Sequence, residues 1–125
     1  GRRYVLLGLE NATAFVDVTE PGAPVLLGHL PMTQGARASV WRDIKVYADH
    51  AFVVADGAGP HGMQGFDLTE LRGLTGAPVV EFSELTRYEG FGSAHNLVMN
   101  EDTGFAFAVG SSQGECNQGL QMIDV

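Results

Sequence analysis

Cysteine occurs once, at Cys116, so no disulfide can close within these 125 residues. Its thiol is read either as a free, semi-buried small residue or as half of a bridge to a partner outside the chain. Basic residues are scarce: seven Lys and Arg stand against fifteen Asp and Glu, for a formal net charge of −8. Such a surface repels phosphate backbones and argues against nucleic acid as a partner. Long apolar runs are missing, and none reaches the roughly 18 residues of a membrane-spanning helix. Compact catalytic signatures are missing too. There is no His-Glu-x-x-His, no calcium loop and no Gly-x-Ser-x-Gly elbow. The segment Gly57-Ala58-Gly59-Pro60-His61-Gly62 resembles a phosphate loop only in its glycines. No Lys-Ser/Thr pair follows, and it leads into a strand, so that reading is rejected. The chain opens inside a strand near Tyr4 and reads as a mature fragment, which makes the lack of a leader silent on compartment.

What the chain does have is repetition. Ala14-Phe15-Val16-Asp17-Val18-Thr19, Gln64-Gly65-Phe66-Asp67-Leu68-Thr69 and Gln121-Met122-Ile123-Asp124-Val125 are each a short apolar strand closing on Asp. The aspartates stand 50 and 57 positions apart (67 − 17 and 124 − 67). Multi-stranded repeats of roughly 40–50 residues point to propeller blades. The 17 glycines and the short apolar runs suit an all-β chain with many turns.

Strands labelled A to D from the inside of a blade outwards fit the runs in order. The first unit, 4–30, supplies B, C and D. The second, 41–85, supplies all four, with Pro78-Val79-Val80-Glu81-Phe82 as D. The third, 94–125, supplies A, B and C. The expected fold is therefore an all-β propeller fragment of about two and a half four-stranded antiparallel blades, with about ten strands. A closed propeller takes about four blades or more, so the remaining blades are expected from a longer chain or from other copies. Helix is confined to a single turn near Glu70-Leu71-Arg72-Gly73-Leu74.

Trp41-Arg42-Asp43-Ile44-Lys45-Val46, His61-Gly62-Met63-Gln64, Ala94-His95-Asn96 and Thr103-Gly104-Phe105-Ala106, taken in this order, resemble the choice-of-anchor B family of bacterial surface proteins with LVIVD-type repeats. The likeness runs from about Tyr4 to Val125. It implies a β-propeller, export, and an extracellular or cell-surface location. It implies no particular reaction.

Alternating strand direction gathers polar residues on one face. Strand A starts at the top, B ends there, C starts there and D ends there. Arg42 and Asp43 open one A strand, and His95 and Asn96 open the next. His61 and Asp56 lie in the B-to-C loop between them, and Glu10 and Asn11 hold the same loop in the first blade. Arg42, Asp43, His61, His95 and Asn96 are the candidate ligand residues at the channel mouth. Oxygen donors such as Asp43 and Asn96 suit calcium, whereas His61 and His95 suit a transition metal. Asp43, His61 and His95 could together hold a divalent metal with open positions. Against this stands a structural reading, in which these side chains satisfy backbone groups at blade junctions. Asp17, Asp67 and Asp124 are read as turn residues, Trp41 as packing between blades in preference to stacking on a ligand, and Met63, Met99 and Met122 as strand-core packing. Two functions follow. One is a binding or scaffold module for a protein, glycan or small-molecule ligand. The other is a metal-dependent, lactonase-like hydrolase at the channel mouth.

Overall fold

A computed structural model describes all residues, 1–125. Eleven strands form three open sheets. The first contains β1 (Tyr4–Gly8), β2 (Ala12–Asp17), β3 (Val25–Pro31) and, at its outer edge, β7 (Val80–Glu81). The second is β4 (Arg42–Tyr47), β5 (His50–Ala55), β6 (Met63–Asp67) and β8 (Thr86–Tyr88). The third is β9 (Asn96–Asn100), β10 (Phe105–Val109) and β11 (Gln121–Asp124). All pairings are antiparallel except β3 with β7. The fold is all-β and matches a partial propeller of two and a half blades. The only helix is a 3-10 turn at Leu68–Leu71, and no helix is long and apolar enough to cross a membrane.

Local chemistry sets the turns. Tyr47 pairs with His50 around Ala48 and Asp49, both at positive φ (47° and 61°). Two left-handed residues give the twist that a two-residue hairpin needs. Asp17 and Asp67 each accept the amide of the residue two positions on, Thr19 and Thr69, at 2.8 Å. The hydroxyls and amides of those threonines hold both carboxyls below their ordinary pKa. These are the turns expected of the repeated Asp-x-Thr.

The sheets stack face to face through two apolar cores. Phe15, Leu27, Leu30, Phe66, Leu71 and Phe82 fill the junction between the first and second sheets. Phe52, Val54, Met63, Phe91, Leu97 and Ile123 fill the junction between the second and third. Each such side chain, once buried, contributes about 1.5–3 kcal/mol, so these junctions are what hold the sheets together.

The outermost strand of the second blade departs from expectation. Val80 and Glu81 do not pair with β6. They run parallel to β3 of the first sheet, and β8 takes the place beside β6. The cause is Phe82, which crosses between the blades. Its ring lies 5.5 Å from Phe15 and 5.0 Å from Phe66, and its amide donates to the His29 carbonyl at 2.8 Å. Gly28 makes room, because a Cβ there would overlap the Phe82 ring. Two other expectations also change. Trp41 does not pack between blades but is 66% exposed, and Met122 is 62% exposed on the outer face of β11.

Candidate functional site

The strand directions bring the expected residues to one rim. β1 ends where β4 begins: Arg42 donates from Nε to the Leu9 carbonyl at 2.7 Å and from Nη2 to the Glu10 carbonyl at 3.4 Å. The Asp56 amide donates to the Trp41 carbonyl at 2.8 Å, tying the end of β5 to the same rim.

Within the rim, the candidates divide into separate pairs. Arg42 and Asp43 are successive residues of β4, so their side chains leave opposite faces of the strand. Arg42 turns to the first junction and places Nη1 3.0 Å from His61 Nε2. A guanidinium can only donate, so Nε2 accepts and the His61 proton sits on Nδ1. Nδ1 then donates to the Gly62 carbonyl at 3.0 Å. His61 is fully buried, and burial pushes its pKa below the ordinary histidine value, with the Arg42 charge acting the same way. Burial also lowers the Arg42 pKa.

Asp43 turns to the second junction. Its Oδ2 accepts the Leu97 amide at 2.7 Å and the Asn96 side-chain amide at 3.4 Å, while Lys45 Nζ lies 2.5 Å from Oδ1. Desolvation alone would raise its pKa, but the Leu97 amide and Lys45 outweigh it and hold the carboxyl below the ordinary range. His95 crosses the same junction, with Nδ1 2.7 Å from Asp56 Oδ2.

The structure therefore pairs Arg42 with His61, Asp43 with Asn96, and His95 with Asp56. It does not assemble Asp43, His61 and His95 into one ligand set. No three His, Cys, Asp or Glu side chains converge in a geometry that could hold a metal. Of the three residues expected to share a divalent metal, Asp43 and His95 lie at the second junction and His61 at the first. Each of them is hydrogen-bonded where it lies.

Trp41, for which packing between blades was the preferred expectation, stands exposed at this rim. Its backbone is fixed: the Trp41 amide donates to Ser39 Oγ at 3.2 Å, and Ser39 Oγ donates to the Asp56 carbonyl at 2.6 Å. The Ser39 amide donates in turn to the Glu10 carbonyl at 2.8 Å. Its indole nevertheless projects into solvent. A shallow groove of about 300 Å³ runs beside it, lined by Glu10, Ser39, Val40, Asp56 and Gly57. The second sheet is flanked on both faces here, so this exposure is not that of an outer sheet face.

Comparison with protein-family models, curated proteins and solved structures finds no match.

Proposed function

We propose that this chain is a binding and scaffold module of a β-propeller, with its ligand face at the rim around Trp41. The observation that carries this reading is the indole of Trp41, held on a rigid backbone and 66% exposed beside Glu10 and Asp56. A flat apolar ring flanked by carboxylate acceptors suits a ligand with an apolar face and hydroxyl donors, the chemistry of a glycan. Membership of the choice-of-anchor B family, and with it export to a bacterial cell surface, is part of the proposal and rests on the resemblance alone. The presence of further blades, from a longer chain or other copies, is part of the proposal too and follows from closure taking about four blades. Val5 and Leu7 on β1 and Val98 on β9 alternate with core residues and lie exposed on the outer sheet faces, as blades awaiting neighbours would require. The hydrolase reading draws less support, because Arg42, Asp43, His61 and His95 are all engaged across blade junctions.

Trp41 is the only tryptophan, so intrinsic fluorescence reports on the rim alone. A panel of soluble oligosaccharides is expected to include members that shift and quench this emission saturably. Trp41→Ala is expected to abolish their binding, as measured by calorimetry, while leaving the melting temperature nearly unchanged. Emission that no oligosaccharide perturbs would count against the reading.

A further inference from the structure

The groove beside Trp41 carries charge of one sign. Two of the residues that line it, Glu10 and Asp56, are carboxylates, and none is basic. Glu10 is exposed and forms no ion pair. Asp56 meets His95 through Oδ2 alone, and its side chain remains 33% exposed. The guanidiniums nearby are committed to main-chain carbonyls. Arg37 Nη2 donates to Gly57 at 3.3 Å, and Arg42 donates to Leu9 and Glu10.

Main-chain hydrogen bonds fix both acids relative to the indole. The Glu10 carbonyl accepts the Ser39 amide at 2.8 Å, and the Asp56 amide donates to the Trp41 carbonyl at 2.8 Å. Glu10 follows β1 of the first sheet and Asp56 follows β5 of the second, so residues 39–41 tie the two carboxylates into one frame. A frame held this way loses little conformational freedom when a ligand arrives. Val40, next to Trp41, is 69% exposed. Single exposed apolar residues are ordinary, but two in succession on a hydrogen-bonded loop, beside two carboxylates, mark a contact surface.

We infer that the ligand of this rim is a sugar bearing a protonated amine. The inference rests on Trp41 as a glycan contact and narrows the ligand to one class. The electron-rich face of an indole attracts a cation. The Glu10 and Asp56 carboxylates accept its N–H groups in charge-assisted hydrogen bonds. The apolar face of the sugar ring lies against the indole and Val40. An N-acetyl group in place of the amine removes the charge and two of the donors. An acidic sugar is repelled by both carboxylates and by the net charge of −8. A lysine side chain offers the same ammonium, but on a flexible stem that loses more rotamer freedom and has no flat face for the indole.

The test titrates Trp41 fluorescence with three probes under conditions that keep the amine protonated. They are a glucosamine trimer, the same trimer fully N-acetylated, and the peptide Gly-Lys-Gly. The glucosamine trimer is expected to bind saturably and about tenfold more tightly than its N-acetylated counterpart. Added salt should narrow that ratio. Glu10→Gln should narrow it by about threefold. The Glu10 side chain is exposed and unpaired, so this variant keeps the fold and the Trp41 signal. Equal binding of the two trimers, tighter binding of the N-acetylated one, or a ratio that neither salt nor Glu10→Gln moves overturns the inference and leaves Trp41 as a glycan contact. A lysine peptide that binds as tightly as the glucosamine trimer overturns the sugar class. Binding of no oligosaccharide at all overturns the reading of the rim itself, and the inference falls with it.

Discussion

The imidazole of His61 lies inside the first blade junction, with Arg42 on Nε2 and the Gly62 carbonyl on Nδ1. Burial disfavours a charged ring, and a second proton, on Nε2, would face the Arg42 guanidinium at close range; together these outweigh the Gly62 carbonyl, which favours the protonated form. The folded-state pKa is therefore below that of the unfolded chain. A group shifted this way contributes stability that is fully present above its unfolded pKa, about 6.5, and is lost as pH falls through the folded value. Thermal melts should consequently show stability declining as pH drops below about 6.5. His61→Gln, whose side-chain oxygen can still accept from Arg42, should flatten the decline between pH 7 and pH 5. An identical decline in both proteins would contradict the assignment. Some of the rim was legible at this scale. The placement of Arg42, Asp43, His61, His95 and Asn96 on one face follows from strand direction, and the opposed faces of Arg42 and Asp43 follow from strand period. Which neighbour each side chain meets was not legible, since that depends on the stacking of whole sheets.

At the level of elements, the segment 78–88 shows where sequence patterning reaches its limit. Residues 76–79 of the second repeat, Gly-Ala-Pro-Val, match residues 22–25 of the first, and the match alone predicts two equivalent outer strands. The first, β3, behaves as expected. The second is pulled across the junction by Phe82, whose ring packs against Phe15 of the first sheet as well as Phe66 of the second. Only the absence of a side chain at Gly28, some fifty residues earlier, permits the crossing. A repeat alignment carries no term for such a long-range fit. The hairpins and the Asp-x-Thr turns, by contrast, were readable because their determinants lie within a few residues. The crossing has a measurable consequence. Phe82 is 7% exposed, and truncating a buried Phe leaves a cavity as well as losing apolar burial. Phe82→Ala should lower stability by about 3–5 kcal/mol in urea unfolding. A loss near zero would mean that residues 80–82 do not bridge the first two blades.

Over the whole molecule, polar pairing and apolar packing act at the same junctions. Each junction has an aromatic or aliphatic core and a hydrogen-bonded rim: Arg42 with His61 and the Leu9 carbonyl on one side, Asp43 with Leu97 and His95 with Asp56 on the other. The rim residues thereby fix blade-to-blade geometry, and Trp41 stands exposed beside them. The most direct check is residue-resolved amide hydrogen exchange of Leu97, whose N–H donates across the junction to Asp43 Oδ2 at 2.7 Å. In the unaltered chain the Leu97 amide is expected to exchange slowly. In Asp43→Ala it should lose that protection while the amides of β2 and β3 keep theirs. Rapid exchange at Leu97 before any substitution, or protection indifferent to the loss of Asp43, would contradict a rim that joins adjacent blades.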